Sequence, residues 1–218
     1  MDWRALWLSL QVSLAATALA AVVGVGLAWW LAQRGGGWRE WLDAAITAPM
    51  VLPPTVLGYY LLVLVGRSSA LGGAWEWVFG GSLVFSRAGA VLAAFVGALP
   101  LIVRASRAAL EGVDPRLVEA ARVCGASPWG AFFGVTLPLA RGGVLAGVTL
   151  GFARALGDFG ATLMVAGNLP GLTQTAPLSI YDAVQAGREG EAAGMAALLT
   201  AFAVAALVWS RRLAPPSR

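Results

Sequence analysis

Between Ala5 and Gln33 the chain carries no charged residue. A helix of that composition has no polar face to turn toward water, and it exceeds the ~20 residues needed to cross a bilayer core. It is also far longer than the ~7–15-residue apolar region of a secretory signal. Trp3 and Trp7 mark one end of the run and Trp29 and Trp30 the other. From Trp7 to Trp29 is about 33 Å of helix at ~1.5 Å per residue, close to the thickness of a bilayer core flanked by aromatic belts. The run is read as a first membrane-spanning helix. Composition agrees, because 59% of the 218 residues are hydrophobic and 12% are charged, against roughly a quarter charged in soluble domains. The apolar segments are helix-length, so the expected fold class is an all-α integral membrane protein rather than a barrel. A single transmembrane domain over residues 1–218 fills the length.

Missing residue types narrow the chemistry. There is no lysine, so no GxxxxGK[ST] phosphate loop, and no histidine for acid–base work or nucleophile activation. One cysteine, Cys124, allows neither an intrachain disulfide nor a Cys/His metal site. No catalytic and no metal-ligating residues are expected, and Cys124 is read as a small buried side chain. The net charge of +4 comes wholly from arginine. It gives no reason to expect a nucleic-acid partner.

Five spans are expected, at about 5–32, 43–65, 88–110, 139–166 and 193–210. The joins after the first and third spans, with the C-terminal tail, hold Arg34, Arg39, Arg104, Arg107, Arg116, Arg122, Arg141, Arg211, Arg212 and Arg218; the opposite side holds Arg4, Arg67, Arg87 and Arg188. The positive-inside rule then places the N-terminus outside and the C-terminus in the cytoplasm of a multi-pass inner-membrane protein. The outer join 66–87 reads as an interfacial Gly/Ser loop anchored by Trp75, Trp77 and Phe79. The outer join 167–194 begins as a Pro/Gly turn and continues as a short amphipathic helix around Ile180, Tyr181 and Val184. It serves either as a solvated connector or as a docking surface.

The cytoplasmic loop 111–138 is different in kind. Asp114 before Pro115 is an N-cap with proline at the first helical position, and Gly125 is placed to end that short helix in a left-handed conformation. Ser127 before Pro128 repeats the start signal for a second short helix carrying Trp129, Phe132 and Phe133. Leu137-Pro138 then leads back into the membrane. Good caps alone do not separate a plain connector from a functional segment. The spacing Glu119-Ala120-Ala121, three residues, Gly125, nine residues, Val135, one residue, Leu137-Pro138 does. It resembles the EAA loop of ABC importer permeases, EAA-x3-G-x9-I-x-LP, with Val135 in place of isoleucine. In that family the loop is a coupling helix that docks on a separate ATP-hydrolysing subunit. The resemblance assigns ATPase coupling to Asp114, Glu119, Ala120, Ala121, Gly125, Ser127, Leu137 and Pro138.

The resemblance extends over most of the chain. "PMVLPPTVLGYYLL" (49–62), "RAALEGVDPRLVEAARVCGAS" (107–127) and "FARALGDFGATLMVAGNLPGLTQTAPLSIY" (152–181) resemble the molybdate/tungstate permeases of the type I importer fold. The sulfate/thiosulfate permeases are similar but tend to have Tyr-Gly-Ser where this chain has Phe159-Gly160-Ala161-Thr162. Gly171-x-Thr173-x-Thr175 also favours molybdate. Asp158 stands where that family usually has glutamate, and Cys124 where it usually has leucine.

Two spans carry features of their own. Gly143, Gly147, Gly151 and Ala155 recur every fourth residue, giving a ridge for close helix packing. Asp158 lies about 20° from Gly151 on a helical wheel and Arg154 roughly 60° away. Both charges therefore face protein or a water-filled path, as a structural ion pair or as substrate contacts. Pro49, Pro53 and Pro54 remove backbone donors at the start of the second span. With Thr55 they make either a pore-lining bend or a kink at the membrane surface. Pro53, Pro54, Thr55, Arg154, Asp158 and Thr162 are thus candidates for the translocation path or for packing.

The resemblance implies a permease that pairs as a homodimer and hydrolyses nothing. ATP and magnesium would bind partner ATPase subunits, and an extracytoplasmic oxyanion-binding protein would deliver molybdate, with tungstate or sulfate as alternative cargoes. A lipid-embedded enzyme using Asp158 and Arg154, or an ion-driven secondary carrier, would leave the EAA loop without a role.

Overall fold

Small residues decide how the helices meet. The computed structural model describes residues 2–33 and 37–213, without the side chains of Ser210, Arg211 and Leu213. Arg34 and Arg218, counted above, lie outside the described residues. Helix α1 (Trp3–Ala32) and helix α5 (Arg87–Glu111) run side by side in the same direction. Their contact is lined by Ala16, Ala20, Ala90, Ala94 and Ala98, each at most 1% exposed. In lipid there is no hydrophobic drive between helices, so close backbone approach through such residues supplies the packing. Helix α8 (Leu137–Leu156) crosses α5 in the opposite sense through its glycines. Helix α11 (Glu189–Leu213) packs Met195 against Ala5 and Leu6 of α1.

Among the described residues, four helical stretches are long and apolar enough to cross a bilayer: Trp3–Ala32, Arg87–Glu111, Pro128–Leu156 and Glu189–Trp209. A fifth requires a bent pair in the segment expected at 43–65, where the prolines predict a bend or kink. The segment is two helices, α2 (Trp38–Val51) and α3 (Pro54–Val65), whose axes differ by 119°. Leu52 and Pro53 both precede prolines and are extended, with ψ of 138° and 139°. The residue before a proline is sterically pushed out of the helical region, so consecutive Pro53 and Pro54 stop the helix. Pro49 is tolerated inside α2, close to its end.

The span 139–166 is likewise not one helix. α8 ends at Leu156, and α9 (Gly160–Ala166) begins after Gly157, Asp158 and Phe159. At its other end α8 is longer than expected. Helix α7 (Pro128–Ala131) runs through a π-turn, Phe132–Thr136, directly into α8. Leu137 donates its N–H to the Phe132 carbonyl, and this wider turn absorbs Pro138 without a break.

The join 66–87 also departs from its reading as a loop, because it contains helix α4 (Ala70–Phe79). Ser69 caps it by accepting from the Gly72 N–H at 2.9 Å, and Gly80 closes it. Trp75 stacks on Phe79 with centroids 4.0 Å apart. The short helix expected near Ile180 is α10 (Ala176–Gln185).

Candidate functional site

The segment between α5 and α8, the candidate lever, is set by its caps. Asp114 Oδ1 accepts from the Arg116 N–H at 2.9 Å to start α6 (Pro115–Val123). Ser127 Oγ accepts from the Gly130 N–H at 3.0 Å to start α7. Between them Gly125 takes φ +91°, a conformation L side chains avoid, and its N–H donates to the Arg122 carbonyl at 3.0 Å. No residue of α6 is buried. Glu119 and Ala120 are exposed and Ala121 is half-buried, while Leu117 and Val123 also face outward. Cys124, expected to be buried, is exposed at the end of α6. The helix is too short and its flank too open to cover that side chain. Val118 and Ala121 are the part-covered positions of α6, and the rest of the helix is open to solvent within this chain.

The lever joins the bundle through aromatic rings. Trp29 of α1 lies 4.5 Å from Trp129 and 4.7 Å from Phe132, centroid to centroid, and Phe132 is buried. These contacts were not foreseen, although tryptophan pairs at the ends of facing segments were a visible hint. Leu137 and Pro138 sit just beyond, within the helix that leaves the lever. Nearby, Arg107 of α5 bridges Asp43 of α2 at 3.3 Å and Glu111 at 2.7 Å, which ties the start of the bent pair to the C-terminal end of α5.

From the lever, α8 runs along α5 on the glycine ridge. A Cβ at Gly143 would lie 2.5 Å from Ala109 Cβ, one at Gly147 2.7 Å from Ala105 Cβ, and one at Gly151 2.7 Å from the Ile102 side chain. None of these positions has room for a side chain without movement.

Beyond the ridge comes the break. Asp158 is 3% exposed and fully engaged. Its Oδ1 accepts from Arg154 Nη1 at 2.8 Å, and its Oδ2 accepts from the Thr162 N–H at 2.9 Å and the Thr162 hydroxyl at 2.7 Å. Asp158 therefore does the work of a cap for α9 and neutralises Arg154, whose guanidinium rests against Gly97 of α5. The arginine-first order is the weaker one on a plain helix, but here the helix has ended and the carboxylate is held from the far side. With both oxygens occupied, the geometry is that of a structural ion pair.

The two broken segments meet each other. A Cβ at Gly160 would lie 3.2 Å from both Pro54 Cβ and Thr55 Cγ2, and one at Gly58 would lie 2.9 Å from the Ala161 backbone. Pro53, Pro54 and Thr55 are exposed within this chain, while Thr162 is buried. The structure thus joins Pro54 and Thr55 to the α8–α9 break but keeps them apart from the lever.

This architecture has counterparts. A chain of the MetNI methionine ABC transporter, solved in inward-facing conformations, superposes with a TM-score of 0.77 at 20% identity, covering 98% of each chain. A chain of a bacterial alginate ABC transporter gives 0.75 at 15% identity over 96% of this chain and 77% of its own. At these identities the likeness defines the fold, that of a type I ABC importer permease. Residues 24–215 match the profile of the family described as "Binding-protein-dependent transport system inner membrane component", and the chain belongs to that family. It is a multi-pass membrane transport subunit, not an enzyme, and ATP hydrolysis in such systems resides in a separate chain. The Molybdenum transport system permease protein ModB of Escherichia coli (strain K12) is 44% identical over 219 aligned residues, covering 100% of this chain and 95% of its own. The protein of the same name from Azotobacter vinelandii is 39% identical over 97% of this chain and 95% of its own.

Proposed function

We propose that the chain is the membrane-spanning permease of an ATP-driven molybdate importer, working as a homodimer with its N-terminus outside and its C-terminus in the cytoplasm. Two ATPase subunits, which bind ATP and magnesium, dock on the α6 levers, and an extracytoplasmic binding protein delivers the oxyanion. The observation that carries this reading is a capped α6 with no buried residue, joined by the Gly125 turn to α7, which runs through the π-turn into α8. ATP-driven closure of the ATPases pushes α6. Because the glycine ridge leaves no slack between α8 and α5, the push is passed along α8 to the break at Asp158. There α9 and α3 meet across Gly160, Pro54 and Thr55, where two interrupted helices can change their mutual angle and open the path.

Uptake of radiolabelled molybdate by cells expressing this chain with its ATPase and binding protein tests the cargo. Uptake should require all three components and be blocked by excess tungstate but not by excess sulfate. Strong block by sulfate would move the cargo to sulfate or thiosulfate and overturn the molybdate reading.

A further inference from the structure

Arginine on the outer side of a membrane protein runs against the charge bias that orients it, so each of the four there asks for a reason. Two have one. Arg67 pairs with Glu76 at 2.6 Å and Arg188 with Glu191 at 2.8 Å. The other two, Arg4 and Arg87, form no ion pair among the described residues, and both line the same cavity.

That cavity, about 330 Å³, is shared with Trp7, Gln11, Gly171 and Gln174. Arg4 lies in the first turn of α1 and Arg87 is the first residue of α5. The N-terminus of α5, capped by the neutral Ser86, adds partial positive charge to the two guanidinium groups, whereas that of α1 is already met by the Asp2 carboxylate. Arg87 is oriented by donating its Nε–H to the Leu172 carbonyl at 3.2 Å, which leaves its terminal nitrogens for a ligand. The acids that flank these elements are used elsewhere. Asp2 caps α1 through the Arg4 and Ala5 N–H groups, and Asp182 accepts from Asn168 and Gln174. Neither acid forms an ion pair with Arg4 or Arg87 among the described residues.

We infer that this cavity is a receiving site for a divalent tetrahedral oxyanion at the outer mouth, held by Arg4 and Arg87. It rests on the orientation and oxyanion cargo proposed above. Planar guanidinium groups suit two oxygens of such an anion. At ~30 Å³ per water, the cavity takes the anion with several of its waters. Both arginines are exposed, so binding is weak and salt-sensitive. A site on a transport path has to be weak, because the ion must leave it inward.

The test uses the permease assembled with its ATPase in nanodiscs, without binding protein, and measures equilibrium binding of radiolabelled molybdate at low salt. The wild type should bind saturably. The double variant Arg4→Gln/Arg87→Gln should bind roughly tenfold weaker or worse, and Arg4→Lys/Arg87→Lys should keep most of the affinity. If the double glutamine variant does not assemble, Gln11→Glu carries the test, since a carboxylate in the same cavity should weaken binding in the same direction. Unchanged binding in the variants, or no saturable binding by the wild type, overturns the site. Loss of binding-protein docking with anion binding intact also overturns it, because the arginines then serve acidic side chains of that partner. Uptake by the wild-type system, scored in parallel, separates the two levels. No molybdate uptake at all sinks the importer reading, whereas normal uptake and normal variant binding sink only the receiving site.

Discussion

The two ends of the helical bundle are held together by different means. Around α6, Asp114, Gly125 and Ser127 shape the segment by bonds that span two or three residues, and no α6 residue is buried. Its hold on the bundle comes from the rings that follow it, Trp129 and Phe132 against Trp29. At the opposite end, where α1 and α5 begin, order depends on partners farther apart in the chain. Ser9 Oγ accepts the Ala176 N–H at 2.6 Å, Arg87 reaches Leu172, and Asn168 and Gln174 hold Asp182. An end built from local bonds keeps its shape when pushed and offers a free face. An end built from distant bonds is fastened to the bundle. Damage to the first should therefore cost function at little cost in stability, and damage to the fastened parts should cost stability.

The largest effect expected is at the lever. Gly125→Pro removes the N–H that bonds Arg122 and forbids φ +91°, because proline is fixed near −65°. Molybdate uptake should fall to background while thermal unfolding in detergent shifts by no more than ~2 °C, and Glu119→Arg should behave alike. Normal uptake in both variants would remove the functional half of the comparison. At the break, Asp158→Ala strands Arg154 and the Thr162 donors. Leaving one partner of a largely buried pair costs roughly 3 kcal/mol, which a denaturation series would register. Wild-type stability there would show that the pair does not fasten α9. Gly147→Leu forces a side chain into a 2.7 Å gap against Ala105 and should cost about 1–3 kcal/mol; unaltered assembly and melting would contradict the tight ridge.

The smallest effect lies in the exposed Arg67–Glu76 pair. The hydrogen bond from Arg67 holds the Glu76 carboxyl below its ordinary value. A lowered native value means that the pair's contribution is present above the usual glutamate range and fades as pH falls through the lowered value. Carboxyl NMR of Glu76 in nanodiscs should show its midpoint rising in Arg67→Gln, and an unmoved midpoint would remove the pairing.

What was legible in the chain follows the same division. The caps at Asp114 and Ser127 and the glycine turn could be read directly, since their partners lie within three residues. The ridge could be read too, because a four-residue repeat survives without knowledge of its partner. The prolines announced a break at Leu52 and Pro53, but not its 119°, which goes with contacts of Pro54, Thr55 and Gly58 against α9, a hundred residues away in sequence. Helix α4 was hidden by Gly72 and Gly73 within it and the Gly and Ser residues around it, although the Ser69 cap was there to be seen. The end of α8 at Leu156 was missed because Asp158 looked like a helical residue on a wheel, when its carboxylate instead serves the next helix. Cys124 was misplaced because a free cysteine usually behaves as a small buried side chain, whereas this one ends a helix that the rest of the chain leaves largely uncovered.

Cys124 also offers the most direct measurement. It is the chain's one cysteine and stands exposed beside the Gly125 turn. Maleimide labelling can be followed in membrane vesicles opened to the cytoplasmic side, with and without the ATPase subunit. If α6 is the docking lever, Cys124 should label readily in the permease alone and be protected once the ATPase is bound. Equal labelling in both preparations, with the complex shown to be intact, would contradict the account.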